Sequence, residues 1–226
     1  MEELSEGHSV RIEALEPGLH GIGVEPSFAI GQRALLTQGL LWDCISLHDE
    51  KAATTIEGLG GVDTIAISHP HYYSSMNAWA ERFDARILLH EDDREHVMFE
   101  TARIEFWVGE RHPISGSLEL IRLGGHFAGA TVCLARDAAG GRGALLSGDV
   151  IQVVPDHDWA SFMWSYPNLI PLPASEIERI RAAVVQLDEF DRVYGAWWDR
   201  VIETDGKARV LASADRYLAA LRGDLM

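Results

Sequence analysis

Residues 64–74 have the sequence TIAISHPHYYS, in which an apolar run is followed by two histidines. The run is typical of a buried β-strand, and the proline at position 70 disfavours helical geometry at His69, so the strand is predicted to end in a loop. His69 and His71 stand two residues apart, and in an extended chain such residues share one side. Both imidazoles can therefore face one point, as binding to a metal ion requires.

Two later apolar runs also end in a residue type that binds metals. Residues 118–123 are followed across two glycines by His126, and residues 144–147 are followed across one glycine by Asp149. One such strand end is most often structural, but three in a single chain are far more specific. Imidazoles and a carboxylate suit Zn²⁺ or Fe²⁺ with an open position for water. The predicted ligands are His69, His71, His126 and Asp149.

These motifs resemble those of the metallo-β-lactamase fold superfamily. The resemblance rests on HPH at 69–71, on GH at 125–126 with a glycine at 129, on SGD at 147–149, and on an early LLWD at 40–43. The motifs occur in the family's order, within roughly residues 20–200. The resemblance implies a four-layer αββα sandwich with a metal site at one edge, between two mixed β-sheets.

The resemblance also implies ligand roles, with two departures. On the family pattern His69, His71 and His126 hold a first metal, and Asp149 reaches or bridges to a second. The Asp and His that normally continue the first motif are replaced by Tyr73 and Ser74, and residues 195–198 lack the family's last histidine. The departures favour one metal or none.

Two further residues are candidates near the site. Tyr73 can donate a hydrogen bond to an oxyanion, or fill the vacated metal space as packing; its pKa of about 10 in water excludes it as a substitute for a carboxylate base. His157, between Asp156 and Asp158, is either a substitute ligand for a second metal or part of a solvated loop, and the loop is the commoner case.

Apolar runs alternate with amphipathic stretches, which is typical of an α/β (α+β) protein. Residues 118–147 predict three successive strands in an antiparallel meander. The whole chain, 1–226, is predicted to be a single domain of two similar halves, approximately 1–117 and 118–226. The strands are predicted at 33–36, 39–44, 64–68, 86–90, 118–123, 130–135, 143–147 and 192–195. The helices are predicted at 49–59, 76–83, 92–99, 174–187 and 208–221.

Composition limits the partners. The 226 residues carry a formal net charge of -16, which disfavours nucleic acid and anionic membranes as partners. The N-terminal stretch has no apolar signal region, so a cytoplasmic location is expected. Cys44 and Cys133 lie in apolar runs and are predicted to be reduced core residues.

These observations predict a mononuclear metal-dependent hydrolase of a small ester, lactone or thioester. One Zn²⁺ is the expected cofactor, with Fe²⁺ as the alternative. Asp149 would orient the metal-activated water or take its proton, and Tyr73 or the metal would stabilise the oxyanion. Two other hypotheses are a single-iron thiol or persulfide oxygenase and a non-catalytic pseudoenzyme that binds a small molecule or a partner. A homodimer is left open, because aromatic residues at 159–166 and 197–198 can line either a pocket or an interface.

Overall fold

The computed structural model describes residues 7–225. It contains two compact units, Met1–Trp107 and Val108–Met226. One large mixed sheet forms the framework of each unit, with seven strands in the first and six in the second. The predicted α/β class with two mixed sheets is confirmed, whereas the single-domain organisation stays a prediction.

The first sheet follows the order of the sequence. Strands β1 to β4 pair antiparallel, and β4 to β7 pair parallel. The parallel strand that leads to His69 is buried along its length, as expected for a parallel sheet covered on its faces. The strands are β1 Ser9–Glu16, β2 Leu19–Glu25, β3 Ala34–Thr37, β4 Leu40–Trp42, β5 Thr64–Ala66, β6 Arg86–His90 and β7 Ile104–Trp107.

Among the described residues of this unit, two α-helices accompany the sheet, α1 at Glu50–Gly58 and α2 at Met76–Phe83, together with two 3-10 helices. The first 3-10 helix is Pro70–Ser75 and the second is Glu91–His96. The helix predicted at 92–99 is therefore wrong. After a short 3-10 turn the segment becomes extended at Val97, and the apolar side chains of Met98 and Phe99 are exposed instead of packing against the sheet.

The second sheet has the order β17-β16-β11-β10-β9-β8. The predicted meander is confirmed, because β9, β10 and β11 pair antiparallel in succession. Strand β16 then joins β11 in parallel. These strands are β8 Arg111–Pro113, β9 Leu118–Arg122, β10 Thr131–Ala135, β11 Ala144–Gly148, β16 Arg192–Gly195 and β17 Val201–Ile202.

Two small hairpins, two long helices and a short helical turn at Ala138–Gly141 complete the second unit. The hairpins are β12 Gln152–Val153 with β13 Ala160–Ser161, and β14 Met163–Ser165 with β15 Ile170–Pro171. The helices are α3 Ala174–Val185 and α4 Gly206–Arg222. Their buried faces, including Ile180 and Val210, join the sheet in one apolar core. Among residues 7–225, no helix is both long and apolar enough to cross a membrane.

Candidate metal centre

His69 and His71 lie side by side just beyond strand β5. His69 is extended, with φ -168° and ψ 165°, and Pro70 then begins the 3-10 helix that carries His71. His69 Nε2 lies 3.2 Å from His71 Nδ1. The pairing is as predicted, but a tight turn produces it instead of a continuous extended chain, because proline is favoured at the first position of a helical turn.

A chain of hydrogen bonds orients the His69 ring. Asp43 accepts a bond of 2.7 Å from the backbone N–H of Ser68 and one of 3.0 Å from its hydroxyl. The Ser68 oxygen in turn lies 2.9 Å from His69 Nδ1. Because the only hydroxyl hydrogen is donated to Asp43, the oxygen accepts from Nδ1–H. This assignment leaves a lone pair on His69 Nε2, the atom that faces His71.

Sequence reasoning noted Asp43 only as part of a motif and did not assign it this orienting role. Its carboxylate is buried, and it follows β4 in a left-handed conformation with φ 64°. Asp tolerates that conformation better than most residues. The available signal was an aspartate at the end of an apolar run, which is too common to show that the carboxylate reaches a serine 25 residues later.

The geometry of the histidine pair fits zinc. Two nitrogens bound to one tetrahedral zinc at about 2.0–2.1 Å lie about 3.3 Å apart, close to the 3.2 Å between His69 Nε2 and His71 Nδ1. Burial, followed by the effect of nearby His96, lowers the pKa of His71. The lowered pKa favours the neutral imidazole, the form that ligates metals.

In the second unit His126 and Asp149 form a buried pair. His126 Nε2 lies 4.0 Å from Asp149 Oδ2. His126 Nδ1 lies 3.0 Å from the carbonyl oxygen of Met163, which can only accept, so Nδ1 carries the hydrogen. The lone pair is therefore on Nε2, on the side of Asp149. Such a partner on the second ring nitrogen is the usual companion of a metal-binding histidine.

Tyr166 holds the backbone at Asp149. Its hydroxyl lies 3.1 Å from the carbonyl oxygen of Asp149 and 3.2 Å from that of Ser161. Burial, followed by the Asp149 charge, raises the Tyr166 pKa, so the phenol stays protonated and donates. Sequence analysis placed Tyr166 only in an aromatic-rich stretch, and no local signal indicated this contact.

Gly125 allows the His126 loop to approach the helical layer. It has φ 84°, and an added Cβ would lie 2.9 Å from Leu172 Cδ1 and 3.3 Å from Ile180 Cδ1. We therefore expect Gly125→Ala to lower the free energy of unfolding by about 1–3 kcal/mol, through backbone strain and overpacking. Urea unfolding followed by circular dichroism would measure this.

Gly140→Ala is the matched control for Gly125. Gly140 also has a positive φ, 66°, but nothing lies within 4 Å of its added Cβ. This variant should show the backbone strain without the overpacking. Equal destabilisation of the two variants would contradict a packing role for Gly125.

The other candidate residues have clear positions. Tyr73 is buried in the 3-10 helix of His71. Burial, followed by the charges of Asp93 and Asp43, raises the pKa of Tyr73, so it remains a neutral hydrogen-bond donor.

His157 is exposed in the loop between β12 and β13, and this favours the solvated-loop interpretation. Phe162, from the aromatic-rich stretch, is a core residue.

Both cysteines are free and buried, as predicted. Burial raises the pKa of Cys44, and it raises that of Cys133 to about 12. Thiols with raised pKa values are poor nucleophiles and poor metal ligands at neutral pH. Their role in the chain is therefore structural.

Comparison with known proteins gives one related sequence and many related folds. The chain is 47% identical over 214 residues to the uncharacterized protein YmaE of Bacillus subtilis (strain 168), and the match covers 93% of this chain and 77% of that protein. No family model matches the chain.

Three solved structures illustrate the likeness of fold. The DIM-1 metallo-β-lactamase exposed to ceftazidime has a TM-score of 0.68 at 14% identity, covering 92% of this chain and 98% of that chain. MEM-A1, a subclass B3 enzyme from a soil metagenome library, has 0.63 at 18%, covering 95% of each. A B3 metallo-β-lactamase with an active-site glutamic acid has 0.62 at 17%, covering 93% and 89%.

Proposed function

Because the chain belongs to the same family as YmaE and has the metallo-β-lactamase fold, we propose that it is a metal-dependent hydrolase of a small ester, lactone or thioester. The observation that carries the proposal is the state of two histidines. His69 and His126 each direct Nδ1–H to a protein acceptor and keep a lone pair on Nε2. This is how proteins prepare histidines to bind metals.

The proposed ligands of a single zinc ion are His69, His71 and His126, with Asp149 as either a further ligand or the base that takes the proton of the zinc-activated water. All four are side chains that can hold a metal ion. The spacing of the His69 and His71 nitrogens supports zinc, and a set of imidazoles with one carboxylate is typical of its catalytic sites. Tyr73 and Ser74, which replace the family's second-metal ligands, support one ion instead of two.

A zinc ion held by these residues would lower the pKa of its water to about 7 and would supply hydroxide near neutral pH. The Asp149 carboxylate is the proposed base, and the Tyr166 contact fixes the backbone that carries it. Tyr73, kept protonated by its surroundings, is the proposed donor to the oxygen that becomes negative during attack on the carbonyl.

The test is a panel of esters, lactones and thioesters assayed with zinc-loaded and zinc-stripped protein. The expected result is hydrolysis that depends on zinc and disappears in His126→Ala. Absence of such activity across the panel would contradict the proposal. If the purified protein contains iron and consumes oxygen when a thiol is added, the oxygenase hypothesis replaces the hydrolase proposal.

Ser68 provides a prediction about positioning. Ser68→Ala removes the hydroxyl that accepts from His69 Nδ1–H and donates to Asp43, but it keeps the backbone bond to Asp43. We expect zinc affinity to fall about 10- to 100-fold, as for other outer-shell partners. Competition with a chromogenic chelator would measure the dissociation constant.

Ser75→Ala is the matched control for Ser68. Ser75 is also buried, and its hydroxyl donates a hydrogen bond of 2.8 Å to the carbonyl oxygen of Ile45. The control therefore loses a buried hydrogen bond without touching His69. If both variants weaken zinc binding equally, the effect is one of general stability and Ser68 has no positioning role.

A further inference from the structure

A cavity of about 300 Å³ lies beside His71, within the first unit. Its wall comes from the 3-10 helix Pro70–Ser75, the first residues of α2, and the segment 96–99. We call this cavity the His71 pocket. Its volume is at the lower end of the range of about 300–1,000 Å³ for small-molecule sites, so the group that it holds is small.

The mouth of the His71 pocket is apolar and exposed. Met98 and Phe99 line the pocket with 82% and 78% of their surfaces in solvent, whereas Met76 is buried. Placing two consecutive large apolar side chains in water is unfavourable, and an exposed apolar patch of this kind marks a surface that binds something. Its position next to a proposed zinc ligand makes a substrate the natural occupant.

The exposed segment is held in place by a specific contact. The Asn77 side chain on α2 donates a hydrogen bond of 3.1 Å to the carbonyl oxygen of Phe99. This bond joins the segment of Met98 and Phe99 to the helix that follows His71. Substrate contacts on a positioned loop are a common arrangement on rigid scaffolds.

The lining of the His71 pocket disfavours ionic groups away from the proposed zinc ligand. Among the described residues that line it, none is Asp, Glu, Lys or Arg. A charged group buried on the Met98 and Phe99 side would lose hydration without gaining a carboxylate, ammonium or guanidinium partner. The wall therefore suits an uncharged, apolar group.

We propose that the His71 pocket is the acyl subsite, holding a short, uncharged apolar acyl chain of the substrate. This inference rests on the proposed function, and it narrows the substrate class to short-chain acyl esters, lactones or thioesters. In the reaction the oxygen of water bonds to the acyl carbon and the bond to the leaving oxygen or sulfur breaks. One proton of the water passes to the leaving group, so an acid and an alcohol or thiol are formed.

The kinetic experiment uses the zinc-loaded full chain and p-nitrophenyl acetate, butyrate and hexanoate. We expect kcat/KM to rise about three- to fourfold for each added methylene that the pocket buries. The double variant Met98→Ala with Phe99→Ala should flatten the rise to less than about twofold per methylene. Val185→Ala, which shortens an exposed apolar side chain of α3, is the control and should keep the wild-type series.

A binding experiment separates the pocket from the hydrolase proposal. Hexanamide is neutral and resists hydrolysis, and its binding is measured by calorimetry with and without zinc. The double variant is expected to bind hexanamide about tenfold more weakly than the wild-type chain. Ser74→Trp is a second variant, for the case that the double variant folds poorly. It fills the pocket from an exposed position, leaves Met98 and Phe99 in place, and should give the same loss of hexanamide binding.

The outcomes distinguish the two proposals. Zinc-dependent hydrolysis with an unchanged chain-length series in both pocket variants would overturn the subsite while the hydrolase proposal stands. No hydrolysis, with hexanamide binding that the pocket variants lose, would support the pocket and overturn the hydrolase proposal. Failure of the wild-type chain to bind hexanamide would overturn the subsite.

Discussion

His69→Ala and His126→Ala are each expected to remove the same single equivalent of zinc, although the two histidines lie in different units. If one ion is shared, losing either ligand weakens the whole set. The loss of affinity should exceed the factor of about 10–100 caused by removing an outer-shell partner. Elemental analysis of protein purified without chelators or a polyhistidine tag should find close to one ion in the wild-type chain and close to none in either variant.

His157→Ala is the control for this experiment, because His157 is exposed in a loop and should leave the zinc content unchanged. Far-ultraviolet circular dichroism would verify that the variants are folded. Retention of the metal by His69→Ala, with loss only in His126→Ala, would contradict the shared site and assign the ion to His126 and Asp149 alone. Two ions in the wild-type chain would contradict the single-metal proposal.

Asp149→Asn is expected to lower kcat about 10²- to 10⁴-fold, the usual contribution of a general base. Asparagine has nearly the same shape and keeps one oxygen, but it cannot take up the proton. KM should change much less than kcat if binding of the acyl group is unaffected. Steady-state kinetics on an ester that the wild-type chain hydrolyses would measure both constants.

The zinc content of the same Asp149→Asn sample distinguishes between the roles proposed for this carboxylate. Low kcat with zinc still bound indicates a base, and low kcat with zinc lost indicates a ligand. Asp156→Asn removes an exposed carboxylate from the loop after β12 and should leave kcat and zinc content unchanged. Wild-type kcat in zinc-loaded Asp149→Asn would exclude Asp149 from the chemistry.

The sequence predicted those parts of the fold that local patterns specify. Strands such as β5 and β10 are apolar apart from one threonine each, because strands buried on both faces have few polar positions. Strand β1 was missed because its sequence, SVRIEALE, mixes charged and apolar residues and is only partly buried. The helix predicted at 92–99 failed because spacing alone does not reveal whether apolar residues such as Phe99 have a surface to pack against.

The sequence by itself determined which residues are candidate ligands. His69, His126 and Asp149 follow strands that end at a proline or at glycines, and these endings are local properties of the chain. Only the tertiary structure decided the tautomer and orientation of the two histidines. The His126 tautomer depends on a carbonyl oxygen 37 residues away, and the orientation of His69 depends, through Ser68, on a carboxylate 25 residues before that serine. Such hydrogen bonds form between segments that only folding brings together, so neither could be identified from the sequence alone.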